Sequence, residues 1–186
     1  MISQATPSQE GKVYFEDESR LGMMTTQRRR ITRKGVKPLG LKQYQHQSFW
    51  LYGAVEPKTG DSFFLELPSA DTQGFQYFLD TFSQHHPNEL VILFLDRATF
   101  HRAQDLHPPE NVTLVPLPPH CPELNPMERV WEDVKDQIAW ELFRDLSHLS
   151  DRTCTIIQAF TKDTLQSLTY YPYIQQYFEP TTGETL

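Results

Sequence analysis

Three carboxylates in this 186-residue chain stand where acid chemistry could be placed. Asp17 ends a short β-type run, Val13–Glu16 (VYFE), on the same parity as Val13 and Phe15. Asp96 follows the apolar run Leu90–Leu95, and Glu128 lies in ELNPMERVW. Carboxylates at strand ends of an open α/β sheet face the crevice where ligands bind. Desolvating one costs several kcal/mol unless it is paired or holds a cation. Two such aspartates and a glutamate in the first turn of a helix could converge on two divalent cations roughly 3.5–4 Å apart, which activate water and stabilise both oxygens of an in-line phosphoryl displacement. Oxygen-only ligation suits Mg²⁺ or Mn²⁺ and not zinc. Each residue also has a structural reading. A lone strand-end aspartate serves as a helix cap or turn residue. Asn125 as N-cap, Pro126 at the first helical position and Glu128 as the third helical residue fit a capping box.

Smaller candidates surround these three. Glu18 alternates to the opposite side of the strand from Asp17, where a solvated or salt-bridged role is the stronger reading. His101, five residues after Asp96, is close enough to assist proton transfer or grip a scissile phosphate; otherwise it is a surface or capping histidine. His120 and Cys121 have no partners at zinc spacing. Trp131 and Trp140 read as core residues, and Trp50 as a hairpin residue that packs or stacks on a base.

The elements that must position these groups alternate between strand and helix. Ser48–Val55 and Ser62–Leu67 flank the turn Pro57–Gly60 and read as a hairpin. Thr72–Gln84 carries Phe75, Phe78, Leu79 and Phe82 at helical spacing. Leu90–Leu95 reads as a central strand covered on both faces, with a short helix just after Asp96 and a further strand at Val112–Val115. Seven of the fourteen prolines crowd into Pro108–Pro126, and PLPPHCPELNP reads as a stiff connector without regular structure. A long helix begins at Pro126 with Met127, Val130, Trp131, Val134 and Ile138 on its buried face. A last helical region spans about Leu149 to Leu168. The sum is a mixed α/β layer fold, residues 11–178, between tails at 1–10 and 179–186.

Composition bounds the rest. The chain has 17 basic and 24 acidic side chains. Six of the basic ones, Arg28, Arg29, Arg30, Arg33, Lys34 and Lys37, fall in a window without an acid, leaving a body of 11 basic against 24 acidic groups. One basic patch on an acidic body points to local contact with a polyanion or to a solvated basic loop. The longest apolar run is six residues, far short of the roughly 20 a membrane span needs. The polar N-terminus has no signal-peptide core, and two cysteines make no disulfide framework. A cytoplasmic location with no membrane partner is expected.

FEDESRLG (Phe15–Gly22), RKGVKP (Arg33–Pro38), VILFLDRATFH (Val91–His101) and LPPHCPELNPMERVWEDVK (Leu117–Lys135) together resemble the catalytic half of mariner-type DDE transposases, especially bacterial insertion-sequence members. The proline-rich PELNPxE-x-x-W block is the most specific. The resemblance implies a ribonuclease-H-like fold with Asp17, Asp96 and Glu128 as the metal-binding and catalytic triad. It implies two Mg²⁺ ions (Mn²⁺ as substitute) once DNA is bound, and an attack on a phosphodiester first by water and then by a DNA 3′-hydroxyl. The basic window would grip DNA, and a homodimer is a further expectation. Arg97 stands where the family usually has Asn, a cation that would repel metal or contact phosphate. The spacing from Asp96 to Glu128 is a few residues shorter than usual, and Ile31 stands near the usual tryptophan. The family's helix-turn-helix region has no counterpart before Val13, so a separate or fused DNA-binding region is expected to supply it. Two rival readings accompany this one: a nuclease that cuts without joining, and an inactive or repurposed domain that binds DNA or a transposase protomer.

Overall fold

A computed structural model gives the architecture. It describes residues 11–25, 28, 31–37, 39–102, 105–119 and 121–178; the expected tails at 1–10 and 179–186 lie outside them. Five strands form one mixed sheet: β1 (Lys12–Gly22), β2 (Ser48–Glu56), β3 (Asp61–Leu67), β4 (Val91–Leu95) and β5 (Val112–Pro116). The order is β3-β2-β1-β4-β5. The first three strands run antiparallel, whereas β4 and β5 run parallel to β1 and to each other. Helices α1 (Thr72–His85), α2 (Met127–Gln137), α3 (Leu146–Ala159), α4 (Lys162–Thr169) and α5 (Pro172–Phe178) flank it.

Strand alternation divides the interior in two. On one face, Phe15, Leu21, Leu51 and Val55 pack with Met127, Val130, Trp131 and Val134 of α2 and with Leu149, Ile156 and Leu165 of α3 and α4. On the other, Tyr14, Tyr52, Ala54 and Leu93 pack against Phe75, Phe78, Leu79 and Phe82 of α1. Each of those four α1 side chains is fully buried, and burial of such a group is worth about 1.5–3 kcal/mol. Asp71 caps α1 by accepting the Gly74 N–H at 2.8 Å. Gly60 closes the β2–β3 turn with a φ of 70°, and a Cβ there would fall 2.0 Å from the Lys162 carbonyl oxygen.

Several expectations change. Asp17 does not end the first strand but lies mid-way along β1. The parallel partner β4 leaves β1 at Phe15↔Phe94, while antiparallel β2 stays paired with it to Gly22↔Ser48. Strand β4 is not equally covered: Val91, Leu93 and Leu95 are buried, but Ile92 and Phe94 are only half-buried. The last helical region breaks at extended Phe160, after which Thr161 caps α4 by accepting the Thr164 N–H. The apolar stripe runs on across the break because both helices pack on the same core. The proline connector holds one 3-10 turn, Pro122–Leu124, opened by a proline whose missing N–H has no bond to lose there. Trp140 is only half-buried and outside the core. It has a φ of 67°, and its indole N–H donates to the Arg28 carbonyl at 3.1 Å. Trp50 is half-buried against the α1 side of the sheet.

Candidate active site

Residues 16, 17 and 18 of β1 project alternately, so Asp17 faces α2 while Glu16 and Glu18 face the α1 side. Gly53 lies opposite Asp17 on β2. A Cβ on it would meet Met127 Cε at 2.6 Å and Trp131 Cη2 at 2.7 Å, so its absence lets the start of α2 sit directly on the sheet. The Trp131 indole N–H then reaches Asp17 Oδ2 at 2.9 Å.

Asn125 fixes the helix start. It is buried, its Nδ2 donates to the Glu16 carbonyl at 2.7 Å, and its Oδ1 accepts the Met127 N–H at 3.1 Å. That second bond is a cap's bond, made one residue ahead of a helix whose own cap position is Pro126. The reciprocal half of a capping box is missing: among the described residues no hydrogen bond engages the Glu128 carboxylate. Glu128 instead lines, with Asp17 and Asp96, a cavity of about 550 Å³ that Arg97, Leu117 and Asn125 also border. Asp96 immediately follows β4, and its Oδ1 accepts the Ala98 N–H at 2.7 Å. Arg97 donates through Nε to the Leu117 carbonyl at 2.9 Å.

The cavity is short of positive charge. Burial first, then the charges of Glu18, Glu128 and Asp96, push the Asp17 carboxyl up to about 8. The Asp96 carboxyl is held below its ordinary value by its bond to His101, assisted by the Ala98 N–H. Three carboxylates on one cavity, with oxygen donors only, fit hard divalent cations.

His101 lies elsewhere than expected. It is buried, does not line the cavity, and packs its ring 4.3 Å from that of Phe75. Nδ1 is 3.0 Å from Asp96 Oδ1, and Nε2 is 3.0 Å from Glu18 Oε1. Burial alone would lower its pKa, but the bonds to Asp96 and Glu18 outweigh it and raise the ring to about 9. Glu18 is thus on the opposite side from Asp17, and salt-bridged. Beside it lies fully buried Glu16, whose two carboxylate oxygens have no hydrogen-bond partner among the described residues. Burial, then Glu18 and Asp17, push that carboxyl well above the ordinary range. Sequence reasoning missed Glu16, Asn125 as a bridge, and the Trp131 bond. Only the alternation of EDE in β1 signalled the first.

The described residues of the basic window are at the surface and do not line the cavity. Arg28 pairs with Asp136 at 3.0 Å, and Arg33, Lys34 and Lys37 are exposed. Arg29, Arg30 and His120 lie outside the described residues.

Comparison with known proteins identifies the family and the fold. A family profile described as DDE superfamily endonuclease matches residues 12–150. The uncharacterized protein y4pE/y4sA of Sinorhizobium fredii is 35% identical over 107 residues, which are 56% of this chain and 79% of that protein. The Mos1 strand transfer complex superposes with a TM-score of 0.69 at 13% identity, covering 90% of this chain and 52% of the Mos1 chain. The Mos1 mariner paired end complex with Mn gives 0.69 at 12% identity, covering 90% and 54%. The chain thus spans about half the length of the Mos1 chains it matches. No helix among the described residues is long and apolar enough to cross a membrane. The expected ribonuclease-H-like mixed sheet is the fold observed, and the chain belongs to the DDE superfamily endonuclease family, with the fold of a mariner-type transposase catalytic domain.

Proposed function

We propose that this chain cleaves DNA phosphodiesters and joins the resulting 3′-hydroxyl ends to target DNA during insertion-sequence transposition. The observation that carries the reading is the shared cavity of Asp17, Asp96 and Glu128. Two Mg²⁺ or Mn²⁺ ions held by these three side chains would activate the attacking hydroxyl and stabilise both oxygens of an in-line displacement. The chain's own residues do the rest. Asp17 is held by Trp131, Asp96 is held by the Ala98 N–H, and Asn125 sets the start of the helix that carries Glu128. Arg28, Arg33, Lys34 and Lys37, with neighbouring Arg29 and Arg30, would contact DNA phosphates and give salt-dependent affinity. These contacts position DNA without reading its sequence, so a helix-turn-helix region, fused or separate, would select the transposon ends.

Arg97 favours a second reading. It places a guanidinium on the cavity wall, as a domain that binds phosphate without cutting it would. One experiment separates the two: incubate the protein with duplexes carrying the terminal sequences that flank its reading frame, intact or pre-cut, in Mn²⁺. Cleavage and joined products that vanish in Asp17→Asn and Asp96→Asn are expected. DNA retention without cleavage by the unmodified chain, even with a helix-turn-helix DNA-binding region supplied, would overturn the enzymatic reading, and cleavage without joining of pre-cut ends would reduce it to a nuclease.

A further inference from the structure

The back of the Asp96 site is built from groups that never reach the cavity. His101 is 2% exposed at its side chain and Glu18 is 6% exposed, yet the ring spans from one side of the site to the other. Nδ1 lies 3.0 Å from Asp96 Oδ1 and 3.2 Å from the Asp96 carbonyl oxygen, while Nε2 lies 3.0 Å from Glu18 Oε1 and 3.8 Å from Glu16 Oε2. Phe75 and Phe100 close on the ring, with centroids 4.3 and 4.4 Å away. A histidine so enclosed cannot grip a phosphate or exchange protons with substrate.

We infer that His101, braced by Glu18, is a positioning residue that fixes the orientation of the Asp96 carboxylate toward the metal. This rests on the reading of Asp96 as a metal ligand. Asp96 needs such support: it sits just past the end of β4, and its side chain is 56% exposed. An exposed aspartate ordinarily samples several rotamers. Here the His101 ring and the Ala98 N–H both engage Oδ1, and among the described residues no hydrogen bond takes Oδ2. One oxygen is therefore anchored and the other is left for a cation. Glu18 does for His101 what the ring does for Asp96, holding Nε2 so that Nδ1 keeps its direction. Such outer partners of a ligating carboxylate orient it and tune its affinity.

Glu16, Glu18 and His101 also lie close enough together to hold a cation themselves, with their donor atoms within 4.8 Å of one another. The geometry favours the bridge: Nε2 is hydrogen-bonded to Glu18 Oε1, while Nδ1 is hydrogen-bonded to the Asp96 carbonyl and ion-paired with Asp96 Oδ1, so both ring nitrogens are already engaged.

The test separates the two nitrogens. In His101→Asn the amide nitrogen falls near the place of Nδ1 and can restore the bond to Asp96. In His101→Gln it falls near Nε2 and cannot. Crystal structures of the three proteins and Mn²⁺ titrations of the full chain by electron paramagnetic resonance are compared, with thermal unfolding as the folding control. The thermal curves report what each variant loses in stability, separately from the orientation of Asp96. The expected result is that Asp96 keeps its orientation and Mn²⁺ affinity in His101→Asn but reorients in His101→Gln, with a loss of about 10- to 100-fold. Glu18→Gln, nearly isosteric, should give a smaller loss in the same direction. An unchanged Asp96 carboxylate in His101→Gln would overturn the inference. So would an Mn²⁺ equivalent that survives Asp17→Ala with Glu128→Ala and disappears in His101→Asn, since the cluster would then itself be the metal site. If the unmodified chain took no Mn²⁺ even with pre-cut DNA bound, the metal-centre reading would fail while the crystallographic comparison still decided the positioning role. Absent DNA cleavage with the expected Asp96 behaviour would sink the transposase reading alone.

Discussion

The indole N–H of Trp131 donates to Asp17 Oδ2 at 2.9 Å, across 114 residues of sequence, and so joins the buried face of α2 to a cavity carboxylate. Trp131 is 1% exposed and belongs to the core that α2 forms with the sheet. The same residue therefore serves packing with its rings and the site with its nitrogen.

Replacing it with phenylalanine divides those roles. Trp131→Phe keeps an aromatic ring in the core but removes the donor and part of the volume. The lost bond, to a carboxyl that burial keeps largely neutral at neutral pH, is expected to cost about 0.5–1.5 kcal/mol. Urea unfolding measures this, and Mn²⁺-dependent cleavage should fall as Asp17 loses its orientation. Full cleavage at reduced stability would show that Asp17 needs no such guide.

Gly53→Ala tests the contact that seats α2. The new methyl would meet Met127 Cε at 2.6 Å, Trp131 Cη2 at 2.7 Å and Phe64 Cδ1 at 3.0 Å. Overpacking of this kind costs about 1–3 kcal/mol. Because α2 carries Glu128, the substitution should lower cleavage more than the fraction unfolded explains. Equal stability and activity would mean that the helix lifts without consequence.

Asp61 sets an acid limit on stability. Burial would raise its carboxyl, but the Tyr14 hydroxyl at 2.7 Å and the Lys162 ammonium at 3.0 Å outweigh this and hold it below its ordinary value. A group whose pKa is lower folded than unfolded stabilises fully above the unfolded value, about 3.9, and that contribution is lost as pH falls through the folded one. Unfolding free energy measured from about pH 6 down to about pH 3 should therefore decline less steeply in Asp61→Asn than in the unmodified chain. Parallel curves would remove Asp61 from the account.

What the sequence made legible follows the range of the signals. The hairpin around Pro57–Gly60 and helix α1 lie in the structure where turn residues and helical spacing put them, because those signals are local. Asp17, Asp96 and Glu128 are candidates by strand ends, a helix start and a family likeness; the structure brings them to one cavity, although Asp17 lies mid-strand. The length of β1 was hidden because EDESR is a charged run that becomes strand only when paired with the aromatic β2. The bond from Trp131 to Asp17 and the burial of His101 come from tertiary contacts between segments far apart in the chain, which no local pattern encodes. The half-buried Trp140 escaped for a similar reason: its left-handed backbone belongs to the loop after α2, not to any property of tryptophan.

The alternation of Glu16, Asp17 and Glu18 on one strand makes pairing register a determinant of identity. A strand shifted by one residue against its neighbours exchanges every side chain between the two faces. In β1 that would turn Glu16 and Glu18 toward α2 and bury Asp17 against the phenylalanines of α1. All three side chains are acidic, so such a slip would not be betrayed by charge. What opposes it is shape: Tyr14 and Phe15 would also change places, and each fills a different core. A single-residue insertion or deletion within β1 between Lys12 and Glu16 should therefore be far more damaging than one of equal size in the segment from 23 to 47. That segment can lengthen without moving an acid from one side of the sheet to the other.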